Sequence, residues 1–191
     1  DIDIVVDLFC GGCNVGMNVE AERVIYNDCS KPLIGLLRAF RRMSKETIIN
    51  GINALIEEFG FSQTRYHNFA YYGGGANLGV SKYNREKYLL LRERFNSYQK
   101  VDDQYYIMLY TLILFGFNNQ LRFNVRGEFN LPVGKRDFNL VIEGKLVRFM
   151  DALKTQNCKF RRGDFRTFDI GELTDKSVVY CDPPYLITTA T

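Results

Sequence analysis

The chain opens on "DIDIVVDLF", a run of mostly β-branched apolar residues that leads directly into the glycine pair Gly11 and Gly12. Apolarity without a helical period marks a strand buried on both faces, and such strands belong to parallel sheets. The glycines then demand a tight turn. A second short run, "ERVIYND", follows and ends in an acid, Asp28, and two later runs, "CKFRRGDF" and "SVVYC", are separated from it by helical patterns. This order predicts an α/β fold, with a mostly parallel sheet interrupted by a helical insertion. Ligands of such sheets sit beyond the carboxyl ends of the strands, which directs attention to residues 9–16, Asp28 and residues 181–185.

Between the strands, "CSKPLIGLLRAFRRM" and "SKETIINGINALIEEFG" read as helices. The second has Ser44 as N-cap, Glu46 in its first turn, a stripe of Ile48, Ile49, Ile52, Leu55, Ile56 and Phe59, and Gly60 as stop. Helices return in "NREKYLLLRERFNS" and "DDQYYIMLYTLILFGF", the latter apolar nearly all round and so a core helix. Residues 61–81 are rich in Gly and Tyr and show no period. Asn, Gly and Pro punctuate "NNQLRFNVRGEFNLPVGKRDF", which predicts a loop or hairpin, and a last helix is expected over residues 144–156. Arg38, Arg41 and Arg42 read as a solvated helix face, while Arg161 and Arg162 fit either phosphate contact or plain surface.

A chain of 191 residues with 46% apolar content supports a sizeable core. The longest apolar run, residues 105–117, falls short of the roughly 18 residues of a membrane span, so no membrane is expected. The five cysteines suggest no disulfide framework, which favours a reducing, cytoplasmic setting. Cys10 and Cys13 form a C-x-x-C, but with neither a second pair nor a histidine at ligand spacing, since His67 stands alone; no metal is expected. The net charge of +3 excludes little.

The turn "DLFCGGCNVG" lacks the G-x-G-x-x-G order of a dinucleotide fingerprint. Its glycines would let backbone approach a ligand, with Asp28 accepting from ribose hydroxyls; equally, this is a tight turn followed by a helix-capping acid. At the last strand end stands "DPPY". Neither proline can donate to a ladder, so the backbone there is fixed. A bare D-P-P reads as a proline-stiffened turn with a capping Asp; with the tyrosine and the two upstream strand ends, the Asp182 carboxylate and the Pro183 carbonyl would make two convergent acceptors suited to an NH₂ group. An adenine amine is a poor nucleophile because its lone pair is delocalised into the ring. Two acceptors gripping its hydrogens favour a pyramidal nitrogen poised to attack an electrophilic methyl group, with Tyr185 stacked on the base.

With "DPPY" downstream of an F-x-G-G turn, the chain resembles the S-adenosylmethionine-dependent DNA N6-adenine methyltransferases. Within these, "FGFNNQLRFNVRGEFNLPVGKR" is similar to the target-recognition region of the Dam-type, D12 class. The resemblance implies a Rossmann-like methyltransferase sheet, incomplete here, with residues 1–50 and 142–191 forming the cofactor-binding catalytic domain. Residues 51–141 would be the inserted DNA-recognition region. It implies that Phe9, Gly11, Gly12 and Asn14 border the methionine part of S-adenosylmethionine, that Asp28 takes the ribose, and that Asp164 and Phe165 flank the cofactor adenine. Asp182, Pro183 and Tyr185 would hold the target adenine. Phe117 and Asn118 would fill or face the space left by the flipped base, with Arg122 as a base reader. Asn124, Arg126 and Asn130 would support the hairpin or touch phosphate, and Lys135 stands where relatives often carry arginine. That lysine, with Gln120 in place of an apolar residue, points away from an unaltered GATC specificity.

The resulting expectation is an enzyme acting on double-stranded DNA as a monomer, transferring methyl to N6 of a flipped adenine in a GATC-like site. Family members also carry a segment before the first strand and further helix and strands after DPPY, which these residues do not include. Competing readings are an RNA adenine or cytosine-N4 methyltransferase, a catalytically silent DNA-binding fragment and, on the glycine turn alone, an NAD oxidoreductase.

Overall fold

The computed structural model describes residues 1–75 and 78–184. The chain divides into two compact units, Asp1–Arg41 with Met150–Thr191, and Arg42–Phe149.

The first unit is built on four parallel strands, β1 (Ile4–Asp7), β2 (Arg23–Asp28), β3 (Cys158–Arg162) and β4 (Ser177–Tyr180), in the order β3-β2-β1-β4. The central pair reads as the sequence requires, with every residue of β1 and the four middle residues of β2 buried. Ile4, Val6, Leu8 and Ile25 form a core cluster against which Phe9, Phe168 and Leu173 pack. Helix α1 (Lys31–Arg42) follows β2 and carries Pro32 in its first turn, where a missing N–H costs nothing.

The arginines of α1 lie on an exposed face, as expected, but each also has a partner. Arg38 donates to the Phe160 carbonyl at 2.7 Å and Arg41 to that of Cys158. Cys158 and Phe160 alternate with the β3 residues whose carbonyls face β2, so their carbonyls point off the sheet edge. Two guanidinium groups thus close an edge that would otherwise offer acceptors to another chain. Arg42 is ion-paired with Asp103.

The second unit is helical, containing α2 (Lys45–Phe59), α3 (Ser81–Ser97), α4 (Asp103–Phe115) and the first part of α5 (Leu140–Thr155). Ser44 caps α2 by accepting from the Thr47 N–H, and Gly60 ends it in the left-handed conformation, φ 70°. Helix α4 is buried at Ile107, Met108, Leu109, Thr111, Leu112, Leu114 and Phe115, as its all-round apolarity predicts. Gly51 lets α2 approach it, since a Cβ there would stand 2.7 Å from the Ile107 side chain. Helix α5 starts four residues earlier than the sequence suggests, because the Asn139 side chain accepts from the N–H groups of Val141 and Ile142. The stretch between α4 and α5 is a hairpin-like excursion with antiparallel bridges Gly116–Val133 and Phe123–Phe129. No helix among the described residues is long and apolar enough to cross a membrane.

Candidate active site and nucleic-acid interface

The sheet register sets the geometry of the first unit. Tyr26 of β2, Asp7 of β1 and Tyr180 of β4 are direct neighbours across the sheet. Asp28, Phe9 and Asp182 each lie two positions further along the chain. Three side chains singled out from sequence therefore leave adjacent parallel strands at one level, at their carboxyl ends, where ligands of α/β sheets bind. On β3, Arg162 pairs with Asp28, and Asp164 and Phe165 follow in the next loop.

The glycine turn is held from below. Asp7, only 2% exposed, accepts from the Gly16 N–H at 3.2 Å. Burial pushes its carboxyl above the usual carboxylate range; the Gly16 N–H pulls it back, and the charges of Asp28 and Asp182 push it up further. Asp28 and Asp182 thus both lie within electrostatic reach of Asp7. Gly16 is pressed against Tyr26, whose ring a Cβ would meet at 2.3 Å, and Gln156 brackets both by donating to the Gly16 carbonyl and accepting from the Tyr26 hydroxyl. Gly11 takes φ 45° and donates its N–H to Asp28, whose other oxygen accepts from Ser30. Gly12 is different. It is exposed, has no positive φ, and a Cβ there would meet only Asn14 Nδ2, 3.8 Å away. The fold itself does not require glycine at 12, so the open backbone leaves room for a ligand. Asn14 is exposed beside it.

Asn27, next to Asp28, carries no sequence signal yet ties this end of the sheet together. Buried to 1% exposure, it donates through Nδ2 to the carbonyls of Leu8 and Gly163, joining the loops after β1 and β3. Its Oδ1 is buried without a partner. Those loops bring Phe9 and the exposed Phe165 ring to a centroid distance of 5.2 Å. Asp164 is gripped by Arg166 through Nε at 2.9 Å and Nη2 at 2.6 Å, and that guanidinium holds its carboxyl down at about 2. The C-x-x-C cysteines are buried and free, and the Cys13 thiol is pushed up by its contact with Cys10 and by burial, so it packs as a neutral group. No cluster of metal-ligating side chains occurs among the described residues.

At the end of β4, Asp182, Pro183 and Pro184 are exposed. Tyr185 lies outside the described residues.

In the second unit, Phe117, Asn118 and Asn119 form a single turn directly after α4, with Asn118 and Asn119 both at φ 53°. Asparagine is among the few residues that tolerate this left-handed region. Asn119 fixes the turn by donating to the Ile113 and Leu114 carbonyls at the end of α4. Phe117 is held by backbone bonding to Pro132, leaving its ring 46% exposed. With Gly116, Asn118, Asn119, Lys135 and Arg136 it lines a pocket of about 520 Å³. Arg122 donates through Nε and Nη2 to the side chain and carbonyl of Asn130, which orients the guanidinium and leaves Nη1 uncommitted by that pair. Asn124 is internal to the hairpin tip, accepting from Arg126 and Glu128 N–H groups and donating to the Glu128 carboxylate. Arg126 stands exposed at that tip, and Lys135 is exposed on the returning strand. Asn96 of α3, another residue without a sequence signal, anchors the hairpin by bonding both the N–H and the carbonyl of Phe129.

Comparison with known proteins adds the following. The family model described as D12 class N6 adenine-specific DNA methyltransferase matches residues 1–191. The type II methyltransferase M.FokI of Planomicrobium okeanokoites is 37% identical over 190 residues, covering 98% of this chain and 26% of that protein. Modification methylase StsI of Streptococcus sanguinis is 32% identical, covering 99% and 26%. DNA adenine methylase of Escherichia coli (strain K12) is 30% identical over 189 residues, covering 99% and 58%. The chain thus spans about a quarter to somewhat over half the length of these relatives.

Proposed function

The chain belongs to the D12 class of N6 adenine-specific DNA methyltransferases, and from that membership we propose that the intact protein transfers a methyl group from S-adenosylmethionine to N6 of an adenine rotated out of duplex DNA. The observation that carries this reading is the common level of Phe9, Asp28 and Asp182 at the ends of adjacent parallel strands. S-adenosylmethionine supplies an electrophilic methyl on a cationic sulfur. The Asp28 and Asp182 carboxylates, both within reach of the buried Asp7, suit a cationic ligand, and the open backbone at Gly12 lets it come close. Gly11, Gly12 and Asn14 border its methionine part, while Asp28 has lone pairs left for ribose hydroxyls. Phe9 and Phe165 present rings to its adenine, and Asp164 takes part only by sharing its carboxylate with Arg166.

Asp182 and the Pro183 carbonyl accept the two N–H groups of the target amine, with Tyr185 as the stacking partner. Phe117 fills the gap in the base stack, Asn118 faces the orphaned base, and Arg122 reads a purine edge through its remaining donors. Asn124 supports the hairpin, while Arg126 and Lys135 contact phosphate. M.FokI and StsI are named as type II or modification enzymes, which favours a restriction–modification setting.

Labelled S-adenosylmethionine offered to the intact protein with duplex DNA, single-stranded DNA and RNA tests this. We expect N6-methyladenine in the duplex at a defined sequence. Label found only in RNA or in cytosine overturns the substrate assignment; duplex binding with no transfer to any nucleic acid overturns the enzyme assignment.

The role of Asn27 is separately measurable. Asn27→Leu keeps the shape but drops two hydrogen bonds that join the loops around the proposed cofactor site. At about 0.5–1.5 kcal/mol each, the S-adenosylhomocysteine Kd is expected to rise roughly tenfold in calorimetric titration. A lowered melting temperature with unchanged Kd would make Asn27 a purely structural residue.

A further inference from the structure

The described residues of 61–83 contribute nothing to the roles assigned so far, yet they carry several exposed aromatic rings. His67 stacks on Tyr71 at 4.0 Å, Tyr71 meets Tyr72 edge-on at 5.0 Å, and Tyr72 meets Tyr83 at 4.7 Å. Each ring braces the next, but the outer ones remain in solvent, with Tyr66 70% and Tyr71 67% exposed. Core formation does not explain rings left in water, and a run of them on one segment is a mark of an interaction surface.

The charge of this segment is one-sided. From Phe59 to Arg85 the sequence contains no carboxylate; Arg65 is ion-paired with Glu143, which leaves Lys82 and Arg85, with Glu86 following, as its exposed cations. Lys82 and Arg85 are exposed on the first turns of α3, and the Lys87 ammonium lies 3.3 Å from the centre of the Tyr83 ring. Exposed rings beside a net excess of cations complement a polyanion, through tyrosine hydroxyl bonds to phosphate, ring contacts to sugar, and counterion release.

The segment is also built onto the recognition hairpin. Asp137, 2% exposed and just past the hairpin, accepts from Ser62 Oγ, Thr64 N and Thr64 Oγ1. At the other end, Val80 donates to the Lys135 carbonyl, and a Cβ on Gly79 would stand 2.1 Å from that oxygen. Both ends of the aromatic segment are therefore fastened to residues 135–137, and Lys135 lines the Phe117 pocket.

We propose that the surface formed by Tyr66, Tyr71, Tyr72 and Tyr83, with Lys82 and Arg85, is a second DNA-contact site that grips the sugar–phosphate backbone of duplex flanking the recognised sequence. This rests on the DNA methyltransferase reading above, and it assigns the surface to affinity and footprint length, not to base choice.

The test uses the intact protein, S-adenosylhomocysteine, and duplexes of about 14 and 30 base pairs carrying the same methylated site, followed by fluorescence anisotropy at several salt concentrations. Wild type is expected to bind the long duplex several-fold more tightly and with a steeper salt dependence. Tyr66→Ala/Tyr71→Ala and, separately, Lys82→Gln/Arg85→Gln should weaken long-duplex binding about fivefold while leaving the short-duplex Kd unchanged; the charge variant should lower the salt slope by about 1–2. Because Lys82 and Arg85 are exposed, their variant keeps the idea testable should the tyrosine variant misfold. Length-independent wild-type binding, or equal losses on both duplexes, overturns the second site alone. Failure of wild type to bind any duplex overturns the parent reading with it.

Discussion

Asp182→Asn is expected to lower kcat for adenine methylation by about two to three orders of magnitude, the usual cost of removing one preorganised polar group aimed at developing charge. The reaction makes an amine nitrogen more positive as its lone pair leaves the ring and forms a new bond. A carboxylate placed against the N–H groups stabilises that change more than it stabilises the resting amine, which is why the loss falls on kcat. Asparagine keeps the shape and one carbonyl acceptor but removes the charge, so Asp182→Ala should be worse still. Binding responds differently. Asp182 shares a field with Asp7 and raises its carboxyl, so neutralising it relieves a repulsion within the fold. Duplex affinity should hold or rise, since one negative charge near phosphate is removed. Single-turnover kinetics on a hemimethylated duplex, beside anisotropy with the same duplex, separate the two quantities. A rate within threefold of wild type would mean that the amine is gripped elsewhere.

Sequence reasoning succeeded where local chemistry determines local structure. Ser44 and Gly60 frame α2 because capping needs only neighbouring backbone, and the runs of β1 and β2 became the buried central pair of a parallel sheet, while β4 stays exposed at its edge. It failed where a residue's partner is remote in sequence. Arg38 and Arg41 do lie on an exposed helix face, but nothing near them in sequence shows that β3, about 120 residues later, presents edge carbonyls to both. A single polar residue in an apolar strand, as at Asp7 and Asn27, looks like noise; only the adjacent strand ends show that both tie loops to the sheet. The hairpin arginine shows the intermediate case. Arg122 was singled out for base reading, but nothing local revealed that Asn130 would take two of its donors and so fix the direction of the rest.

Asp137 is the most heavily used of these remote contacts, and its removal is expected to have the largest effect on stability. It lies in "GKRDF", inside a stretch that reads as loop, yet it is buried and accepts three hydrogen bonds from Ser62 and Thr64. Asn84 extends the network by donating to Ser62 Oγ and accepting from Ser62 N–H. Asp137→Ala leaves three donors facing an apolar void. At about 1–3 kcal/mol for each unsatisfied group that water cannot reach, a total of roughly 3–5 kcal/mol is expected, because Thr64 is only half-buried and recovers part of its loss from solvent. For a chain of this size that corresponds to a melting temperature lower by roughly 6–20 °C. Asp137→Asn should cost less, about 1–2 kcal/mol, because hydroxyls can turn to accept from the new amide while one oxygen still serves the Thr64 N–H. The two variants together are diagnostic: a network held by hydrogen bonds ranks alanine well below asparagine, whereas equal losses in denaturant melts would mean that the carboxylate's charge, and not its acceptors, holds residues 62–64 to the hairpin exit.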